Sequence, residues 1–245
     1  MLRLLPSVAL TGFAGLAWQL IWVRKLALVF GGTVETVAVV TGVFLGGLGL
    51  GAWAGGRWAD RHPARALRAF AICEASAALW GLGLLPVLDA LADTGAPLGV
   101  TPILLGPPTL AMGAGLPMLA RASRGRPGRR VGLLAGANTA GAVAAALATD
   151  TWLVPTLGVR ATAGVAAGAG LLAGVALLAV AGAVATPTDA PPPAPSERAP
   201  IDVPVALFLA GFAAMGLELV WVRFLGSALG AYRVVLGTLL AVLLA

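Results

Sequence analysis

Seven long apolar runs, and the start of an eighth, occupy most of this 245-residue chain. They lie near residues 5–29, 34–57, 66–88, 98–120, 131–154, 160–185 and 204–226, and the eighth begins near 232. Each complete run reaches the roughly 20 residues that a helix needs to cross about 30 Å of hydrocarbon. Because lipid offers no hydrogen-bond partners to free backbone groups, helices are the expected structure. We therefore predict an all-α integral membrane protein.

The charge content supports the same class. Charged residues make up 11% of the chain, whereas a soluble domain carries about 25%. The formal net charge of +6 could favour nucleic acid as a partner, but the cations cluster in short loops between apolar runs. A membrane surface explains that clustering better. The predicted partner is therefore the lipid bilayer and not nucleic acid.

Cysteine and histidine are nearly absent, which limits the chemistry of the chain. The single cysteine, Cys73, excludes an intrachain disulfide and a zinc site built from cysteines. His62 is the only histidine and leaves little other metal-ligand chemistry. We predict no metal site and no cofactor.

Arginine and lysine are unevenly divided between alternate loops. The loops after the second and fourth runs hold Arg57, Arg61, Arg65, Arg68, Arg121, Arg124, Arg126, Arg129 and Arg130. The intervening loops hold Glu35, Asp89, Asp93 and one cation, Arg160. The positive-inside rule then predicts a multi-pass protein of the cell inner (cytoplasmic) membrane, with its N-terminus in the cytoplasm.

The opening phrase of the chain returns near its end. Residues 12–26 read GFAGLAWQLIWVRKL, and residues 211–225 read GFAAMGLELVWVRFL. Between them, the proline-rich segment 186–203 predicts a semi-rigid linker. We predict a parallel internal repeat, with a six-helix bundle over 1–185 and about two helices of a truncated second half over 204–245. The chain is then expected to be a fragment or a natural truncation.

Cations end both copies of the repeated phrase: Arg24 and Lys25 in the first, and Arg223 in the second. One interpretation is an anchor at the membrane interface, and the other is a functional cation that faces a cavity between helices. The repeat favours the interior alternative, because it pairs Gln19 with Glu218 at matching positions. Both alternatives stay open.

Further polar residues lie inside the apolar runs. Glu74 is about two turns from the basic loop, and it is either a functional carboxylate or one that is paired or protonated. Asn138 and Thr139 are more typical of hydrogen bonds between helices than of a ligand site. Asp150 is expected to reach water at the outer end of the fifth run. We predict a substrate site formed by Gln19, Glu74, Asn138 and Glu218.

Small residues and prolines predict how the helices pack. Glycine recurs every four residues at Gly47, Gly51 and Gly55, and a second stripe of small residues runs over 132–148. Such stripes allow close contact between helices. Three prolines in the fourth run predict a kinked or broken helix that could line a cavity; they are Pro107, Pro108 and Pro117.

The loop after the second run reads GGRWADRHPAR and is similar to a signature of the major facilitator superfamily. Gly56, Asp60, Arg61 and Arg65 match that signature, and Pro63 stands where a glycine is usual. Together with GFAGLAWQLIWVRKLALVFG, GVFLGGLGLGAWAGGRWADR, PTLAMGAGLPMLARA and NTAGAVAAALATDTWLVPTLGVRAT, it resembles the membrane region of the spermidine-synthase-like multispanning proteins. The resemblance implies a major-facilitator-like bundle, a conformational role for the loop residues and a link to polyamine-like substrates.

The chain also departs from that family. It has no βαβ pattern and no polar stretch long enough for a soluble synthase domain, so we predict no catalytic residues and no aminopropyl transfer. Three functions remain: a transporter-like module for a small, cationic, polyamine-like solute, a membrane anchor for a synthase-like domain found elsewhere, or a structural subunit of a membrane complex. We favour the first, because ionisable residues inside a membrane are costly in a pure anchor.

Overall fold

The computed structural model describes residues 4–122 and 127–183, together with scattered helical positions between 206 and 242. The α-helices of the two continuous ranges are α1 Leu5–Phe30, α2 Val34–Arg61, α3 Ala66–Leu91, α4 Thr101–Ala122, α5 Pro127–Ala148 and α6 Val154–Ala183. Short 3-10 turns, Pro63–Arg65 and Leu98–Val100, precede α3 and α4, and a π-helical turn, Thr149–Leu153, joins α5 to α6. The described residues contain no strand, which confirms the all-helical prediction.

Several of these helices are long and apolar enough to cross a membrane, which indicates a membrane protein. By length and composition, five such stretches lie within the described residues: Leu5–Phe30, Val34–Arg61, Pro63–Leu91, Leu98–Ala122 and Arg129–Ala181. The prediction of six separate spans differs from this count because the last stretch is 53 residues long. The π-helical turn carries the helix through the predicted boundary, and Gly158 interrupts it with φ 78° and ψ 168°. A positive φ of this kind favours glycine.

α1 lies at the centre of the bundle and packs against α2, α3, α5 and α6. Because other helices surround it, all of its side chains over residues 16–23 are buried. α1 runs parallel to α3, since Trp18 lies against Gly81 and, further along both helices, Lys25 binds Asp89. These two contacts fix the register between α1 and α3.

α5 also runs parallel to α1. Thr11 contacts Asn138 near the start of the pair, and Arg24 binds Asp150 in the π-helical turn at its end. The two backbones come so close that a Cβ on Gly12 would clash with the carbonyl of Asn138. Glycine therefore sets the distance between these helices.

α6 runs antiparallel to α3 beyond its break at Gly158. Gly170 faces Ala78 of α3, and Gly174, further along α6, faces Ala71, which is earlier on α3. Because α5 runs in the same direction as α1 and α3, the chain reverses direction between α5 and this part of α6.

α2 and α4 run parallel and form the second close pair, with glycines at their contact. The predicted stripe is confirmed, because a Cβ on each of three glycines of α2 would clash with Thr109, Leu110 or Ala114 of α4. Those glycines are Gly47, Gly51 and Gly55. Small residues here let two apolar helices approach at backbone distance.

The stripe predicted over 132–148 is wrong as a contact. Gly132 and Gly136 are exposed, and a Cβ on either would meet no atom of the described residues within 4 Å. α5 instead turns Leu134, Gly141 and Ala145 inward. Both faces of α5 carry small residues in the sequence. Packing against α1 determines which of the two faces is buried.

α4 continues as one helix through its three internal prolines, so of the predicted kink or break the break is not found. Proline lacks an N–H group, and Pro108 leaves the carbonyl of Leu104 without its usual helical donor. The indole Nε1 of Trp80, on α3, donates to that carbonyl at 3.0 Å. A neighbouring helix therefore satisfies the freed backbone group, as membrane helices with proline require.

Candidate functional site

The cations at the end of α1 bind carboxylates of other helices. Arg24 Nη2 and Asp150 Oδ1 are 2.6 Å apart, and the two side chains are 16% and 5% exposed. The π-helical turn holds Asp150 against α1, and π-helical turns often mark functional positions in helices. Asp150 was expected to reach water, and the structure buries it because its partner lies inside the bundle.

A second ion-pair group joins α1, α3 and α6 near the same end of the bundle. Lys25 Nζ binds Asp89 Oδ1, and Arg160 Nη2 binds the other carboxylate oxygen, Oδ2, at 3.0 Å. Arg24 and Lys25 thus form ion pairs with carboxylates of other elements. The sequence had suggested an anchor at the membrane interface or a cation that faces a cavity, and neither interpretation included such pairs. Arg223, their counterpart in the repeat, lies outside the described residues.

Glu74 is different from those carboxylates, because it is buried without a partner. It is 6% exposed and lies about 12 Å along α3 from the start of that helix. Its neighbours one turn away on the same helix, Phe70, Ala71, Ala77 and Ala78, are all buried. Within the described part of the chain, its side chain makes no hydrogen bond and no ion pair.

The register between α1 and α3 separates Glu74 from Gln19. With Trp18 against Gly81, Gln19 is level with Leu82, about 12 Å further along the bundle than Glu74. Gln19 is buried, and its amide makes no hydrogen bond among the described residues. The structure therefore does not bring these two predicted site residues together, and Glu218 lies outside the described residues.

Asn138 lies on α5, at about the level of Glu74. By the same register, Glu74 is level with Thr11, whose hydroxyl contacts Asn138 Oδ1 at 3.2 Å and the carbonyl of Val8 at 2.8 Å. One hydroxyl hydrogen serves both acceptors, and the shorter contact is to Val8. Asn138 therefore contacts α1 through its side chain, and it makes no hydrogen bond with Glu74.

The loop residues that match the major facilitator signature lie at the opposite end of the bundle from the ion pairs. Asp60 Oδ1 binds Arg121 Nε at 2.5 Å and links the ends of α2 and α4. Gly56 lies beside Pro117, and its added Cβ would be 3.5 Å from the Cβ of that proline. Both remaining members of the signature, Arg61 and Arg65, are exposed.

Sequence reasoning missed three buried polar atoms near the centre of the bundle. Nε1 of Trp18, Nε1 of Trp22 and Oγ1 of Thr149 have no hydrogen-bond partner among the described residues. The two indole rings stack with their centroids 5.5 Å apart. A tryptophan in an apolar run is typical of the membrane interface, so the sequence carried no signal that both rings would be fully buried.

The described residues hold no group of three or more histidine, cysteine, aspartate or glutamate side chains that could bind a metal ion. No protein-family model, no curated protein and no solved structure matches this chain. The resemblance to spermidine-synthase-like and major facilitator proteins therefore stays a prediction.

Proposed function

We propose that this protein is the membrane module of a major-facilitator-like transporter, and that it binds and moves a small cationic solute with Glu74 as the counter-charge. The isolation of Glu74 carries the proposal. Asp150 and Asp89 show what a structural carboxylate looks like in this bundle, because both bind cations of other helices. Glu74 is as deeply buried as Asp150 and has no such partner among the described residues.

A buried carboxylate without a partner is costly to a fold. Taking an ionised group out of water is unfavourable unless a cation, a proton or hydrogen bonds compensate it. A purely structural position in α3 would favour an apolar residue such as alanine, which is the residue at three neighbouring buried positions, Ala71, Ala77 and Ala78. Intramembrane ionisable residues are functional candidates for this reason.

The proposal also includes the number of membrane spans, the second half of the repeat and the orientation in the membrane. The reversal of direction at Gly158 supports two spans within the long stretch Arg129–Ala181, and hence six spans in the first half. The repeat at 211–225 supports a second, similar half. The arginines of α2, α3, α4 and α5 gather at one end of the bundle, which supports a cytoplasmic location for that end and for the N-terminus in the inner membrane.

A rigid membrane anchor for a synthase-like domain is the second candidate. The ion pairs of Arg24 and Lys25 favour it, because they tie α1 to the π-helical turn and to α3 and hold the bundle together. The same rigidity would suit a structural subunit of a membrane complex. Neither function requires Glu74 to be ionisable, and that difference separates them from transport.

Substitution of Glu74 tests the proposal directly. We expect Glu74→Gln to weaken cation binding in detergent at least tenfold, with spermidine and tetraphenylphosphonium as the two probes and the effect read on whichever of them the unmodified protein binds. The free energy of unfolding should change by no more than about 1 kcal/mol, because glutamine keeps the shape of the side chain and Glu74 has no hydrogen-bond partner among the described residues to lose. The measurements are a binding isotherm and an unfolding curve on the same purified variant. Glu35→Gln is the matched control, because Glu35 is exposed in the first turn of α2. Unchanged binding of the cation in the Glu74 variant would exclude that carboxylate as the counter-charge.

Cysteine labelling tests the orientation. With Cys73 replaced by serine, single cysteines at His62 and Thr94 lie at opposite ends of α3, and both positions are exposed. We expect an impermeant reagent to label position 94 from outside the cell and position 62 only after the membrane is opened. Labelling of both from the same side would contradict the proposed topology.

A further inference from the structure

We propose that Glu74 holds a proton when no solute is bound and exchanges it for one monovalent organic cation. This inference rests on the proposed function and narrows it to a substrate class and a coupling ion. It follows from the number of unpaired charges inside the bundle and from the groups that surround Glu74.

The described bundle contains one buried carboxylate without a partner. Asp150, Asp89 and Asp60 each bind an arginine or a lysine. Glu35 and Asp93, the other described acidic residues, are exposed. A single negative charge compensates a single positive charge, whereas a polyamine bound there would bury one or more ammonium groups without a counter-charge. Uncompensated burial of a charge is strongly unfavourable.

No charged group of the neighbouring helices reaches Glu74. α1, α4 and α6 pack against α3. At the level of Glu74, α1 presents Thr11 and Ala14, and α6 presents Gly170 and Gly174. These residues are uncharged and cannot replace a proton or a cation as the partner of a carboxylate.

The cations of α1, α4 and α6 that could pair with a carboxylate bind other acidic residues, far from Glu74 along the bundle. On α1, Arg24 and Lys25 bind carboxylates near its far end, and Arg160 of α6 binds Asp89 there. Arg121 of α4 binds a carboxylate at the opposite end of the bundle.

On α3 itself, the only other groups that could influence the carboxyl are close in sequence. Arg68, six residues earlier, is exposed, and the adjacent thiol of Cys73 is partly buried. The carboxyl therefore has two ways to avoid an isolated charge, which are to keep a proton or to bind a cation.

The two states exclude each other, and their exchange is balanced. The O–H bond of the Glu74 carboxyl breaks, the proton leaves to water, and the carboxylate pairs with the arriving cation. The charge of the site is zero before and after. Because the proton competes with the cation, apparent affinity should fall about tenfold for each pH unit of acidification once the proton is the stronger competitor.

Proton release on binding tests this exchange. The probe is tetraphenylphosphonium, a monovalent cation that carries no proton of its own, so any proton released comes from the protein. We expect one proton per bound probe in weakly buffered detergent, read with a pH indicator dye, and none with Glu74→Gln. Infrared spectra of the empty protein should show a protonated carboxyl band that the same variant loses. Glu35→Gln should behave like the unmodified protein in both measurements.

The outcomes separate this inference from the proposed function. Binding of the probe without proton release, or an empty protein without the carboxyl band, would overturn the exchange and leave cation binding in place. Tight binding of spermidine with no binding of tetraphenylphosphonium would overturn the monovalent class. Failure of both cations to bind would contradict both proposals.

Discussion

Two regions of the bundle hold apolar helices together in different ways. One is the contact between α2 and α4, and the other is the set of contacts around α1. α2 and α4 meet through glycines along most of their length, and their one ion pair, Asp60 with Arg121, lies at the exposed end. α1 also meets its neighbours at glycines, but its contacts enclose ion pairs and unpartnered polar atoms as well. Close approach alone is enough to join two apolar helices, so the polar groups around α1 require another explanation.

The carboxylates around α1 are of two kinds, those that bind a cation and one that does not. We assign a structural role to the first kind and a functional role to the second. Asp150 and Asp89 bind cations that α1 supplies, and these pairs fix its position relative to α3 and to the π-helical turn after α5. Glu74, on the neighbouring helix α3, has no cation within the described residues. The paired carboxylates stabilise the arrangement of the helices. Glu74 still needs a proton or a cation to compensate its charge.

The largest expected effect comes from removing one partner of the buried pair. Asp150→Asn leaves the guanidinium of Arg24 without its carboxylate, which should lower the free energy of unfolding by about 3–5 kcal/mol. Denaturant unfolding of the purified protein measures it. The double variant Arg24→Met with Asp150→Leu should recover most of the loss, because it removes both charges. Equal losses in the single and double variants would show that the pair acts through shape and not through charge.

A smaller effect is expected from overfilling the α2–α4 contact. Gly51→Leu would force a side chain against the backbone of Leu110, which should cost about 1–3 kcal/mol. Gly49→Leu is the matched control on the same helix, because a Cβ on Gly49 meets nothing within 4 Å. Gly95 would be a poor control, since its φ of 64° disfavours any side chain. Comparable losses at Gly49 and Gly51 would remove the argument that α2 and α4 depend on close approach.

The smallest effect belongs to the exposed pair at the end of α2 and α4. The side chains of Asp60 and Arg121 are 49% and 44% exposed, so water and salt screen their attraction. Asp60→Asn should change the free energy of unfolding by about 0–1 kcal/mol. Unfolding curves at low and high salt should differ little for this variant. A loss as large as that of Asp150→Asn would erase the distinction between the two regions.

Part of the candidate site could be predicted from the sequence. Glu74 was singled out because a carboxylate in an apolar run is rare and costly, and that argument needs no neighbours. The structure does not bring Glu74 together with Gln19, since the register of α1 and α3 places the two about 12 Å apart along the bundle. The sequence shows Arg24 and Asp150 as charged residues within apolar runs, but it contains no signal that predicts their ion pair.

The sequence by itself determined the class of structure, because the length and composition of apolar runs settle which segments become helices in lipid. It also determined the glycine contact of α2, since a four-residue spacing places small side chains on one helical face. Only the tertiary structure decided which polar side chains meet. Arg24 and Asp150 are 126 residues apart in the chain and 2.6 Å apart in the bundle. Such pairs depend on the rotation and register of whole helices, which are set by packing all of them together and not by any single segment.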